Sequence, residues 1–229
     1  MPRHISDVVI HNLASEPITD YRGIHLWFAD LDKQNTEPAP FSLLSTSELV
    51  RAARLKNRRE RQRFIASRVF TRRVLGNITG IASKSLEFHN DKCGKPRLCV
   101  KAQVRHGPSR SVLGFNVSRS ENILGLAAGR DCELGIDVEV LNPGLDVLAI
   151  AQAGLEQADY DLVRSSTVGE RALVFYRVWT RREAFAKMKG HGIASDHTPS
   201  LPAVPWCLHS FEFALGQKEV VGCLAVASQ

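Results

Sequence analysis

From Leu134 to Val140 the chain alternates: Leu134, Ile136, Val138 and Val140 are apolar, and Asp137 and Glu139 fall between them. A period of two is the mark of a strand with one buried face, and it sets both carboxylates side by side on the other face. Carboxylates that close repel each other unless a cation lies between them. An all-oxygen pair suits a hard ion such as Mg²⁺, which takes one or two carboxylates together with waters and substrate phosphates. A solvated face of an amphipathic strand explains the same alternation, and so short a stretch does not decide between the two.

A second stretch carries the complementary charges. Arg171 to Met188 reads as a helix, with Phe175, Val178, Trp179, Phe185 and Ala186 on one side at helical spacing, and Gly190 is its stop signal. Tyr176, Glu183 and Lys187 form a stripe beside that apolar side, at the edge of the core, where a pocket wall can form. The plainer reading of Glu183 and Lys187 is an i,i+4 pair on a surface helix.

Together the two stretches resemble a known family. Gly135-Ile136-Asp137-Val138-Glu139, followed by Trp179, Arg182, Glu183, Ala184, Lys187 and Gly190, is similar to the paired signature of 4′-phosphopantetheinyl transferases, Gly-Ile-Asp-Val-Glu and Trp-x-x-(Lys/Arg)-Glu-(Ala/Ser)-x-x-Lys-x-x-Gly. The length of 229 residues resembles the surfactin-type group, single chains of two similar halves, rather than the short trimeric holo-acyl-carrier-protein synthases. The resemblance covers roughly residues 20–215. It implies an α+β fold of two similar halves related by a pseudo-twofold, with the active site in the cleft between them. Residues 1–110 would form the half that binds the nucleotide of coenzyme A. Residues 111–229 would form the half with the metal site and the catalytic helix, the boundary falling near His106-Gly107-Pro108-Ser109.

The same resemblance extends to other segments. Arg51 to Arg73 is strongly basic, with Glu60 its single acid, and Phe64, Ile65, Val69, Val74 and Leu75 give it a helical apolar side. Guanidinium forks match phosphate geometry, although a solvated helix face has the same composition. The resemblance places Arg51 and Arg54 at the 3′-phosphate of coenzyme A, with Ser67 nearby. The loop from Asn90 through Lys92 and Gly94 to Lys95 and Pro96 resembles the family's Gly-Lys-Pro turn, associated with the adenine and phosphate part of coenzyme A. Phe115-Asn116-Val117-Ser118-Arg119-Ser120 is similar to Phe-Asn-(Leu/Ile)-Ser-His-(Ser/Thr), with Arg119 where the family has histidine. Asn116, Ser118 and Arg119 are thereby expected at the coenzyme A phosphates; an arginine there keeps a permanent charge and bidentate geometry. Asp137, Glu139 and Glu183 are expected to hold Mg²⁺. Glu183 is also a candidate acceptor of the serine proton, directly or through water, and Lys187 would neutralise charge on the phosphates.

The activity implied is Mg²⁺-dependent transfer of the 4′-phosphopantetheine arm from coenzyme A to a serine of an acyl or peptidyl carrier protein, by a monomer. Two alternatives stay open. One is a catalytically impaired relative that only binds carrier proteins. The other is a basic nucleic-acid-binding protein, disfavoured because no stacking aromatics interleave with the arginines.

Composition narrows the partners. A net charge of +6 and a pI near 9.2 call for an anionic partner, and carrier domains are typically acidic. No apolar run reaches the length of a membrane span, and Met1 to Asp7 has no apolar signal region. Five cysteines without a Cys-x-x-Cys pair fit reduced thiols in the cytoplasm. Elsewhere the pattern predicts a first strand over Gly23–Ala29 and a helix from near Glu48 capped by Ser45 or Ser47. It also predicts a short strand over Leu86–His89, one or two helices over Asp146–Ser165 broken at Gly154, and two closing strands around Gly216-Gln217. Ile123 to Ala128, turning at Gly129-Arg130-Asp131, is expected to pair with the acidic strand as a hairpin.

Overall fold

A computed structural model describes residues 20–21, 23–33, 41–92, 94–99, 112–190 and 205–228. Of the expected boundary near residues 105–114, residues 105–111 lie outside the described residues, as do residues 191–204.

The chain runs β1 (Asp20–Tyr21), β2 (Ile24–Asp30), α1 (Thr46–Arg54), α2 (Arg58–Thr79), β3 (Phe88–Asn90), β4 (Pro96–Leu98), β5 (Leu113–Ser120), β6 (Ile123–Arg130) and β7 (Cys132–Val140). It continues through α3 (Val147–Gly154), α4 (Gln157–Ser165), α5 (Arg171–Lys189), β8 (Trp206–Leu215) and β9 (Lys218–Ser228). Helices and largely antiparallel sheets alternate in blocks, so the fold is α+β. One sheet has the order β1-β2-β6-β5, another β7-β9-β8, and β3 and β4 form a separate pair. In both larger sheets a strand precedes the helices and then pairs with the last strand of the hairpin that follows them: β2 with β6, and β7 with β9.

Alternation of side chains explains the layering. Ile24, Leu26 and Phe28 of β2 join Ile136, Val138, Phe211, Val220 and Leu224 in a core between the two large sheets. Trp27, on the other face of β2, joins Leu124 and Leu126 of β6 and packs with Ala66, Phe70, Val74 and Leu75 of α2. The outer face of the second sheet, with Cys223, Ala225 and Ala227, is covered by Ala184 and Met188 of α5. The order of layers is thus α2, sheet, sheet, α5.

Local signals set the helix ends. Ser45 caps α1, accepting from the Glu48 backbone while the Glu48 carboxylate accepts from Ser45, a capping box. The basic run is two helices, not one: α1 ends at Arg54, and Asn57 caps α2. Gly80 and Gly190, both in the left-handed conformation, close α2 and α5. On α5 the buried side is Phe175, Tyr176, Val178, Thr180, Ala184 and Met188, turned somewhat from the expected set, so that Phe185 and Ala186 are only half-buried.

One expected pairing is corrected. β6 does not form a hairpin with the acidic strand. Its two edges are already taken by β2 and β5, so β7 has no ladder to join there and pairs with β9 instead. Asp131, with φ of 53°, turns the chain from one sheet to the other.

Candidate active site

β5 and β7 meet at the edges of their sheets, not through a backbone ladder but through side chains. Alternation points Asn116, Ser118 and Ser120 at β7. Asn116 Oδ1 accepts from the Ile136 N–H at 2.9 Å, the Ser118 hydroxyl donates to Asp137 Oδ1 at 2.9 Å, and the Ser120 hydroxyl donates to Glu139 Oε2 at 2.6 Å. The Val140 N–H donates to Ser120 Oγ at 3.1 Å. The carboxylates of β7 are therefore held by the neighbouring strand, on the face that α5 covers.

The helix completes the group. Lys187 Nζ donates to Asp137 Oδ1 at 2.6 Å and to Ser118 Oγ at 2.9 Å. Asp137 is 3% exposed, and its second oxygen, Oδ2, is buried with no hydrogen-bond partner. Burial pushes the Asp137 carboxyl above its ordinary range against the opposing pull of Lys187. Burial likewise pushes up Glu139, with the Asp137 charge adding to it. Glu183, four residues before Lys187 on the same turn-to-turn line, is pushed up to about 7, first by burial and then by the charges of Asp137 and Glu139. Three neighbouring acids whose carboxyls burial pushes up make this group a candidate for chemistry.

The helix can come this close because position 135 is glycine. A Cβ at Gly135 would lie 1.9 Å from the Ala184 carbonyl oxygen and 2.4 Å from the Met188 nitrogen. β7 and α5 are in backbone contact there, two residues before Asp137.

An all-oxygen donor set, an orphaned buried carboxylate oxygen and three acids with raised pKa values fit a hard divalent cation in their chemistry. As the structure stands, the Lys187 ammonium supplies the positive charge at Asp137. Among the described residues no group of three or more His, Cys, Asp or Glu side chains is drawn together as a ligand set.

The other expected site residues are spread around this group. Arg119 points to the opposite face of β5 from Ser118 and donates to Glu60 Oε2 at 2.8 Å. Arg51 lies over the Phe64 ring, as does Arg68, each at 5.4 Å from the ring centre, and the two guanidinium groups repel. Arg54 is exposed, and Ser67 is half-buried on α2. Asn90, exposed, ends β3, Lys92 and Gly94 lie exposed in the β3–β4 turn, and Pro96 begins β4. Lys95, expected at the nucleotide, is turned inward instead. It is 7% exposed, and its ammonium donates to Glu133 Oε2 at 3.1 Å, the Leu134 carbonyl at 2.7 Å and the Met188 carbonyl at 3.3 Å. The physical reason is the register of the turn: Asp91 holds its backbone, through the Lys95 N–H at 3.0 Å, so that the side chain enters the gap between β7 and α5.

Two participants were not among the expected residues. Ser120 holds Glu139 as Ser118 holds Asp137; its position two residues after Ser118 on a strand was the available signal. Arg68 joins Arg51 around Phe64, signalled by the i,i+4 spacing of Phe64 and Arg68.

A family model described as the 4′-phosphopantetheinyl transferase superfamily matches residues 133–215, from β7 through β8. The 4′-phosphopantetheinyl transferase HetI of Nostoc is 33% identical over 187 residues, which is 79% of this chain and 76% of the relative. A putative 4′-phosphopantetheinyl transferase of Synechocystis is 27% identical over 77% of this chain and 69% of its own length. The 4′-phosphopantetheinyl transferase Sfp of Bacillus subtilis is 24% identical over 67% and 63%. With one relative so similar over most of both chains, and the acidic strand and α5 inside the matched region, the protein belongs to the 4′-phosphopantetheinyl transferase superfamily and is an enzyme of that type.

Proposed function

We propose that this enzyme transfers the 4′-phosphopantetheine arm of coenzyme A to a serine of an acyl or peptidyl carrier protein. The serine Oγ attacks the β-phosphorus of the coenzyme A diphosphate. The P–O bond to the nucleotide breaks, the arm stays on serine, and adenosine 3′,5′-bisphosphate leaves with the electron pair. Glu183, whose carboxyl is pushed up to about 7 by burial and the neighbouring acids, would take the serine proton. Lys187 offsets charge on the phosphates. Asp137, Glu139 and Glu183 would hold Mg²⁺, which when bound supplies charge neutralisation at the diphosphate. Ser118 and Ser120 hold the two acids of β7 in place. Arg51, Arg54 and Arg68 are suited to the 3′-phosphate, and Arg119 to the diphosphate once it exchanges Glu60 for it.

The observation that carries the reading is Asp137: a buried carboxylate with one oxygen held by Ser118 and Lys187 and the other left without a partner. A basic chain of net charge +6 suits an acidic carrier domain by electrostatic steering. The thiols of Cys99, Cys132 and Cys223 suit a reducing cytoplasm. The repeated strand–helices–hairpin order supports two halves within one chain, and a monomer then suffices. The test is incubation with an apo carrier protein, coenzyme A and Mg²⁺, which should raise the carrier's mass by about 340 Da as a phosphodiester forms on serine. The pairing of Arg119 with Glu60 favours one second reading, a relative that binds carriers without modifying them; co-elution with the carrier and no mass gain would select it.

A further inference from the structure

Lys95 is the one lysine among the expected site residues whose ammonium is enclosed. A lysine has three N–H donors and no acceptor. Here all three are engaged, by Glu133, by the Leu134 carbonyl and by the Met188 carbonyl. Leu134 lies on β7 three residues before Asp137, roughly 10 Å along a strand. Met188 follows Lys187 directly and contributes one of the last carbonyls of α5, which have no partner within the helix and favour a cation. A single ammonium from the β3–β4 turn therefore fastens the strand that carries Asp137 to the helix that carries Glu183 and Lys187. Gly135, next to Leu134, is where the backbones of β7 and α5 touch. Glycine permits that approach; the packing of Ala184 and Met188 on the sheet and the Lys95 bonds hold it. To contact a ligand phosphate instead, the ammonium would have to abandon two backbone carbonyls and leave them buried.

We propose that Lys95 is a positioning residue for the transfer reaction: it fixes α5 against β7, and so sets where Glu183 and Lys187 meet the reacting phosphates, without touching coenzyme A. The proposal rests on the transfer reaction argued above. It assigns to the β3–β4 turn the task of registering the catalytic helix.

The test is Lys95→Met, which keeps most of the buried volume and removes every donor. Turnover at saturating coenzyme A should fall about a hundredfold, the scale of loss when reacting groups are misplaced by about 1 Å. The KM for coenzyme A should stay within about twofold, because no ligand contact is lost. Amide hydrogen exchange should quicken over residues 184–190 and stay unchanged in α2. A raised KM with unchanged kcat would assign Lys95 to the nucleotide and overturn the proposal. Unchanged kcat and KM with a lowered melting temperature would also overturn it, leaving only a stabilising lysine. Unchanged exchange over 184–190 would overturn it whether or not the carrier is modified. Failure of the unaltered enzyme to modify any carrier would count instead against the transfer reaction itself. Should Lys95→Met not accumulate as folded protein, Lys95→Gln, with an amide one atom shorter, is measured in the same three ways with the same expected results.

Discussion

Helices α2 and α5 do the same structural work, each covering the outer face of one large sheet, yet they treat charge in opposite ways. On α2, Arg63 gives two bonds to the Asp32 carboxylate and a third to Glu60, and Arg72 gives one to Glu48 and one each to the carbonyls of Ser83 and Leu86. These guanidinium groups are buried, and their principal donors are met. The Asp32 carboxyl is accordingly held far below its usual range, chiefly by Arg63. On the β7–α5 side the acids are pushed the other way, because burial and like charge outweigh what Lys187 returns. A charge with its partners complete is architecture. A charge left half-served beside others of its own sign is where a substrate or ion finds work to do.

The sharpest way to break this contrast is Asp137→Asn. The amide keeps the shape and removes the charge that burial disfavours. Transfer should fall by about three orders of magnitude, the scale seen when a preorganised electrostatic group is lost from a site. The melting temperature should hold or rise, since Lys187 is left 30% exposed and can turn to solvent. Near-normal turnover would remove the acidic cluster from the reaction.

Gly135→Ala sharpens the comparison from the backbone side. The added methyl meets the Ala184 carbonyl at 1.9 Å, a contact that only movement of α5 or β7 can relieve. Turnover should drop about a hundredfold through misplacement of Glu183 and Lys187. The protein should also melt earlier, because overpacking of this kind costs about 1–3 kcal/mol. A Gly135→Ala enzyme with unaltered kcat would show that the close approach of α5 does not matter to the reaction.

Much of this arrangement was legible in the chain. The alternation at Leu134–Val140 specified β7 and the common face of Asp137 and Glu139, because a half-buried strand has no other way to order its side chains. Ser45, one of two candidate caps, and Gly190 marked helix ends through local hydrogen bonding. What stayed hidden was the choice of partners across the chain. Nothing local to β6 tells it that β2 will occupy the edge where β7 might have paired. Lys95 reads as an exposed turn lysine until the gap between β7 and α5 is known. The arginines of α2 look alike in composition, although the period does separate them. Arg63 falls in line with Ala66, Phe70 and Val74, and Arg72 with Ile65 and Val69, so both sit on buried stripes, whereas Arg51 and Arg54 precede the helix break.

That division of the arginines supports the smallest of the expected effects on turnover. Arg72 is 2% exposed and carries Glu48, two backbone carbonyls and the Phe88 ring, 5.1 Å from its guanidinium carbon. In Arg72→Ala the Glu48 carboxylate and both carbonyls lose a buried partner, and removing one side of such a pair costs about 3–5 kcal/mol. The melting temperature should therefore fall by many degrees, a larger stability loss than at Gly135. The folded fraction, measured at low temperature and saturating coenzyme A, should still turn over within about threefold of the unaltered enzyme, since Arg72 shares no partner with the β7–α5 group. A collapse of kcat in that folded fraction would mean that the α2 side reaches into the reaction after all. The contrast between saturated and half-served charge would then not separate scaffold from site.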